Sequence, residues 1–209
     1  MSAVSAVRTG RYSRQELFAG IGVEGQARIR TARVVVVGCG ALGSVLAEMM
    51  VRAGVGALTV VDRDFVEESN LQRQSLFDEQ DVARGLPKAA AAETHLRTLN
   101  SDVEVRGIVT DLVADNAETL LQGADLVLDG TDNFETRFLL NDLCIRAGRP
   151  WIYGACVGSY GLALLVRPHV SPCLRCLLDE RPAPGSGPTC DTAGVVAPIV
   201  HVVAGVQGG

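Results

Sequence analysis

Lys88 is the only lysine in a chain that carries eighteen arginines. Where arginine has taken nearly every cationic position, a surviving lysine points to chemistry that needs a compact ammonium. It stands at the start of a predicted helix, where a cation opposes the macrodipole, so a bound anion explains it better than stability does. Upstream lies Gly38-Cys39-Gly40-Ala41-Leu42-Gly43. Gly38, Gly40 and Gly43 let a backbone turn tightly and approach a phosphate at a helix N-terminus. A second apolar run ends in Asp62, a carboxylate placed to accept both ribose hydroxyls. NAD, FAD and ATP users share these features. Arg73 and Lys88 break the tie, because two further cations suit a polyphosphate and exceed what a dinucleotide demands. Asp129-Gly130-Thr131-Asp132-Asn133 follows another apolar run. A carboxylate there is placed to hold Mg²⁺, which binds through one or two carboxylates plus substrate oxygens. Asp132 is the expected ligand, and Asp129 is expected to cap its own loop. The set fits ATP and Mg²⁺.

The elements that must position these groups alternate between strand and helix. Helical spacing covers 15–29, with Leu17, Phe18, Ile21 and Ile29 as apolar anchors. A strand of four valines, 34–37, leads through the glycine loop into a helix over Ala41–Ala53, and a second strand covers Ala57–Val61. The connection over 64–85 is long for its kind and marks a functional loop. A helix over Lys88–Leu99 and strands at 103–108 and 126–128 follow, then a helix over 134–147. A strand at 151–153 continues into glycine-punctuated alternation to Val166, the pattern of a hairpin. The apolar stretch 195–206 is helical or strand-like. This order predicts an α/β fold, a Rossmann-like open and mostly parallel sheet with an added C-terminal antiparallel hairpin.

Composition agrees. Hydrophobic residues make up 47% of the 209 and aromatics only 4%, so the core must be built from Val, Leu, Ala and Ile, as in a buried parallel sheet. The net charge of −5 supplies no basic field for nucleic acid. No apolar segment reaches membrane-spanning length, and residues 1–10 lack a secretion signal. The expectation is a cytoplasmic protein with a disordered lead at 1–10 and one domain at 11–209. Cys39, Cys144 and Cys156 fall in apolar or helical settings and are expected to pack. Cys173 and Cys176 form a C-x-x-C knuckle, half of a tetrahedral Zn²⁺ site.

Taken together, the chain resembles the MoeB/ThiF/HesA family, the bacterial relatives of ubiquitin-activating enzymes. The matching segments are Arg11-Tyr12-Ser13-Arg14-Gln15, the glycine loop, Asp62-Arg63-Asp64, Asn70-Leu71-Gln72-Arg73-Gln74, Lys88, and Thr131-Asp132-Asn133 with Thr136-Arg137. Cys173-Leu174-Arg175-Cys176 and Thr189-Cys190-Asp191-Thr192-Ala193-Gly194-Val195 complete the set. The resemblance implies adenylylation of the C-terminal glycine carboxylate of a ubiquitin-like sulfur carrier, MoaD-like or ThiS-like, in molybdopterin or thiamine synthesis. It implies that Asp64, Asn70 and Gln74 shape the ATP pocket and that Arg73 and Lys88 grip phosphates. It places Arg14 across a homodimer interface, in the partner's site. Cys190 matches a position that bonds covalently to the activated carrier in some relatives and is dispensable for adenylation in others. His95, His169 and His201 match no motif.

The chain departs from the family in one respect. The second C-x-x-C that completes the zinc site has no counterpart here. The resemblance therefore implies a truncated version of the family domain without its last strands. Three other readings remain open: a non-catalytic remnant that binds the carrier or dimerises, a nicotinamide-dependent oxidoreductase, and a relative that adenylates a small-molecule or peptide carboxylate.

Overall fold

The computed structural model describes residues 10–178, 180–182 and 190–209, without the side chains of Cys190 and Asp191. The expected lead at 1–10 lies outside them save for Gly10. In chain order the elements are α1 (Ser13–Leu17), α2 (Gly22–Ile29), β1 (Arg33–Val37), α3 (Ala41–Ala53), β2 (Ala57–Val61), α4 (Glu79–Arg84), α5 (Lys88–Leu99) and β3 (Glu104–Ile108). They continue with α6 (Ala114–Leu120), β4 (Leu126–Asp129), α7 (Phe134–Arg146), β5 (Trp151–Val157), β6 (Tyr160–Val166), α8 (Leu174–Leu177), α9 (Cys190–Ala193) and α10 (Ala197–Gly208).

The sheet order is β3-β2-β1-β4-β5-β6, parallel throughout except for the antiparallel β5–β6 hairpin. This is the α/β architecture expected from the sequence. The valine run explains why β1 lies at its centre. Val34 and Val36 enter one core with Leu46 and Leu58, while Val35 and Val37 enter a second with Leu140 and Trp151. A strand buried on both faces needs apolar residues at every position, not at alternate ones. Helices α3, α5 and α10 cover the first face, and α6 and α7 the second.

The chain leaves β1 toward β2 and β3, then crosses back to β4 on the other side of β1. Ligands of open α/β sheets bind at such a reversal, outside the carboxyl ends of the strands. The glycine loop after β1 and the Asp129 turn after β4 meet there.

Two expectations need correction. The helical spacing over 15–29 is divided between α1 and α2, because the chain turns extended at Phe18 (φ −71°, ψ 119°), which ends α1, and α2 begins only at Gly22, with φ +63°. Neither backbone continues a right-handed helix. Helix α6, in a stretch without apolar periodicity, was not expected. The apolar 195–206 segment resolves into helix α10, with Val195 bridged to Gly158.

Leu46 is fully buried where α3 meets the sheet. Leu46→Ala should lower stability by about 2–5 kcal/mol in urea unfolding. A loss no larger than that of a surface substitution, about 0.5 kcal/mol, would contradict this packing.

Candidate active site

Val37 ends β1 and the chain turns at Gly38, with φ +84°. A Cβ on Gly43 or on Gly130 would overlap the Gly38 carbonyl oxygen. Backbone thus packs directly on backbone, joining the β1 turn, the first turn of α3 and the β4 turn. Gly40 differs, because a Cβ there would meet nothing closer than the Gly130 oxygen at 3.8 Å and Gln74 Nε2 at 4.0 Å. Gly40 is also the N-cap of α3, with no side-chain cap and no acid in the first turn. The leading amides of a buried apolar helix therefore face open space, a setting that favours an anion.

Asp62 follows β2. Its two oxygens accept the amides of Cys39 at 2.6 Å and Asp64 at 2.7 Å, so it fixes the glycine loop. Burial raises its pKa, against lowering contributions from those amides and from Lys88. Lys88 is thus close enough to act on the glycine loop, although 24 residues separate it from Asp64. The long connection accounts for this by closing on itself. Phe65 bridges Pro87, and the Lys88 amide donates to the Asp64 carbonyl at 2.8 Å. Only 9% of the Lys88 side chain is exposed, and its Nζ lies 3.5 Å from Asp64 Oδ2.

Inside that connection a 3-10 turn at Glu68–Asn70 is closed by the Asn70 side chain, which accepts the Glu67 amide at 3.2 Å. The Asn70 carbonyl accepts the amides of Arg73 and Gln74. Asn70 is therefore a buried shaper of the loop. The Arg73 guanidinium rests on the Ser69 carbonyl at 2.7 Å. Gln74 is 3% exposed, faces Gly40, and its Oε1 has no hydrogen-bond partner among the described residues. A buried unpaired carbonyl costs about 1–3 kcal/mol, so this amide fits a polar ligand in the space above Gly40. Open space, exposed amides, a ribose carboxylate and a lysine suit ATP.

The two aspartates after β4 differ in their surroundings. Asp129 is fully buried; its Oδ1 accepts the Thr131 amide at 2.9 Å and hydroxyl at 2.6 Å, and its Oδ2 accepts Arg137 Nε at 3.2 Å. It caps its loop. Burial raises its pKa against the lowering effect of Arg137. Asp132 is exposed on the same turn, with no hydrogen bond or ion pair among the described residues, which leaves its carboxylate free for Mg²⁺. Sequence reasoning quoted Arg137 only within a motif and missed its place. Its Nη2 donates to the carbonyls of Thr131 and Gly154, and its guanidinium lies against Phe134 and Tyr153. A buried arginine of α7 thus holds the whole turn.

The remaining predicted residues lie elsewhere. Arg14 is exposed on α1, next to Gln15, whose side chain donates to the Ala53 carbonyl at the far end of α3. The 13 residues of α3 span about 20 Å, so Arg14 and the glycine loop sit at opposite edges of the sheet. Cys173 and Cys176 lie at α8, beside α7, with sulfurs 3.7 Å apart. That separation suits two corners of a tetrahedral thiolate site with metal–sulfur bonds of about 2.3 Å, but no third ligand joins them among the described residues. Burial raises the Cys173 thiol, yet hydrogen bonds from Cys176 and nearby amides outweigh it and hold the pKa below the ordinary value. The Cys190 side chain lies outside the described residues, as does the preceding segment but for its first residue, Pro182. Burial pushes the Cys144 thiol up to about 12 and raises that of Cys39 further, which fits packing and not reactivity.

A doubly wound sheet whose reversal holds an uncapped glycine loop, a half-buried carboxylate and a buried lysine is an open α/β fold with a crevice that suits a nucleotide. Residues 12–209 match the ThiF family, and the chain belongs to it. It is 56% identical over 199 residues to the sulfur carrier protein ThiS adenylyltransferase of Bacillus subtilis, covering 95% of this chain and 59% of that protein. It is 42% identical to the SAMP-activating enzyme E1 of Haloferax volcanii, covering 98% of this chain and 75% of that protein. Among solved structures it is similar to E. coli MccB with ATP, at a TM-score of 0.82 and 26% identity, covering 97% of this chain and 62% of that one. The chain thus spans about three fifths of the Bacillus relative.

The site yields two predictions. Replacing Arg137 by alanine leaves Asp129 buried and unpaired, and should cost about 3–5 kcal/mol in chemical unfolding. A loss within about 0.5 kcal/mol would remove Arg137 from the turn. The second concerns Asp62, whose expected role toward ribose hydroxyls requires the carboxylate form. Since its pKa is raised, ATP affinity should fall on acidification from a pH above the ordinary 3.8, read with a fluorescent ATP analogue. For stability the sign is opposite: a raised carboxylate pKa favours the fold below 3.8 and gives that up as pH rises through the folded value. Asp62→Asn should flatten the affinity profile; an unaltered profile would put the titrating group elsewhere.

Proposed function

We propose that this chain carries out ATP-dependent adenylylation of the C-terminal glycine carboxylate of a ubiquitin-like sulfur-carrier protein ending in Gly-Gly. The observation that carries this reading is the buried Lys88 ammonium standing beside the glycine loop, held only by the exposed Asp64 among the described residues. A hydride-transfer enzyme has no need of that cation, whereas a polyphosphate that must leave as pyrophosphate does. The relatives' names support the sulfur-carrier substrate. The 56% identity to a ThiS adenylyltransferase favours a ThiS-like carrier. The alternative reading, adenylylation of a small-molecule or peptide carboxylate, is less well supported: MccB, solved also with MccA, is only 26% identical.

In the proposed reaction a carrier carboxylate oxygen attacks the α-phosphorus of ATP. A carboxyl–phosphate bond forms, the bond to the bridging oxygen breaks, and its electron pair leaves with pyrophosphate. The nucleophile is already ionised at neutral pH, so no protein base is required. The histidines agree, with His95 held by Asp81 at 2.8 Å and His201 exposed on α10. Catalysis is positioning plus charge stabilisation. Gly38, Gly40 and Gly43 present the α3 amides, Asp62 holds the ribose, and Asp64, Asn70 and Gln74 shape the pocket. Arg73 and Lys88 stabilise the leaving phosphates. Asp132 holds Mg²⁺, which neutralises phosphate charge when bound. Arg14, too far to serve its own loop, serves a second copy in a homodimer. Cys190 is the thiol proposed to bond to the activated carrier in a later step, and Cys173 with Cys176 would supply two zinc ligands.

The test follows the carrier by intact mass after incubation with the chain, ATP and Mg²⁺. Carrier-adenylate should form with the wild type and fall by about 10²–10³ with Lys88→Ala. Mixing Arg14→Ala and Lys88→Ala subunits should restore about one quarter of wild-type activity, since half the random dimers hold one intact site. Normal turnover by Lys88→Ala would remove it from the phosphates, and no rescue would count against a shared site.

A further inference from the structure

The β4–β5 ladder stops at the pair Leu128↔Ile152. Beyond it the Gly154 amide of β5 turns to the Asp129 carboxylate, so the Asp129 carbonyl is left without a donor from β5. A buried carbonyl needs one. It comes from α10, where Gln207 Nε2 donates to the Asp129 carbonyl at 3.0 Å and to the Ile152 carbonyl at 3.4 Å. Gln207 is 1% exposed, in a helix that contains no charged residue and otherwise buries Val200, Val203 and Ala204. Both neighbours are acceptors, so the amide nitrogen must face them.

Packing alone does not explain a glutamine here. Its Oε1 is buried without a hydrogen-bond partner among the described residues, at a cost of about 1–3 kcal/mol. A leucine or methionine would fill the same volume without that cost. Space has been cleared for the amide, because a Cβ on Gly154 would overlap the Gln207 carboxamide. The Gly154 carbonyl in turn accepts Arg137 Nη2 at 3.2 Å. Gln207 from one face of the sheet and Arg137 from the other therefore hold the same turn, one by the Asp129 carbonyl and one by its carboxylate. That turn continues into Gly130, which packs on Gly38, and then into Asp132.

We propose that Gln207 is a positioning residue, whose carboxamide locks the Asp129 carbonyl and so sets where Asp132 stands relative to the glycine loop. The part concerning Asp132 and Mg²⁺ rests on the function proposed above; the fixing of the turn does not.

Gln207→Met keeps length and volume and removes the donor. Hydrogen exchange at the Thr131 and Gly130 amides should accelerate by about fivefold or more, while the β2–β3 amides keep their wild-type rates. The Mg²⁺ concentration giving half-maximal ATP–pyrophosphate exchange should rise by a similar factor, with the KM for ATP less affected. Gly154→Ala, which displaces the carboxamide, should show the same signature. The double variant Gly154→Ala/Gln207→Ala relieves the overlap, so it should fold as well as Gln207→Ala and still show fast Thr131 exchange. Wild-type Thr131 exchange in either folded variant, Gln207→Met or the double, would overturn the proposal. So would uniform acceleration of all amides with no change in Mg²⁺ dependence, which is what a structural role alone predicts. Should the wild type itself show no pyrophosphate exchange, the adenylylation reading fails while the amide rates still judge Gln207.

Discussion

The Gly38 carbonyl oxygen is the point on which the site converges. Gly43 and Gly130 both approach it more closely than any residue with a side chain could. A methyl group at either position would drive the β1 turn, the start of α3 or the β4 turn out of place. The contact forces three chain segments, distant in sequence, to share one wall of the crevice. It also aims the uncapped N-terminus of α3 at the open space above Gly40. Interiors transmit such displacements because they are close-packed, so the geometry of the glycine loop is inherited from backbone contacts below it.

Charge is distributed around that wall by burial. Asp129 and Asp132 lie three residues apart, yet one is fully buried and the other exposed. An unpaired carboxylate at the first position would be costly, and Arg137 with Thr131 offsets that cost. The second is left free for a cation. Lys88 is the mirror case, a buried ammonium whose partner, Asp64, is solvated and therefore weakly competitive with a polyphosphate. Groups fixed before the ligand arrives need little reorganisation during reaction, the condition under which electrostatic stabilisation is most effective.

Much of this could be read from the sequence where the signal is local. Four consecutive valines imply a strand buried on both faces, and the glycine spacing implies a tight turn into a helix N-terminus. What could not be read depends on contacts distant in sequence. Phe18 to Gly22 looks helical by its apolar spacing, yet an extended Phe18 ends α1 and a positive φ at Gly22 starts α2. Helix α6 carries no apolar stripe because it uses few residues, chiefly Ala117, to cover the second face. Arg137 and Gln207 meet the Asp129 turn from opposite sides, 8 and 78 residues away. No pattern of composition or period announces such partners. Arg14 was assigned through family resemblance, and its place at the opposite edge of the sheet suits a role in a second copy.

The central claim is that the Lys88 side of the crevice activates a carrier carboxylate by expelling pyrophosphate. Isotope exchange between ATP and pyrophosphate, on the 209-residue chain with and without a Gly-Gly-ended carrier, tests it most directly. The account predicts exchange that requires Mg²⁺ and the carrier and that vanishes when the carrier's terminal glycine is removed. Tight ATP binding by a folded chain, with no exchange under any carrier condition, would contradict it and leave a nucleotide-binding protein without adenylylating chemistry.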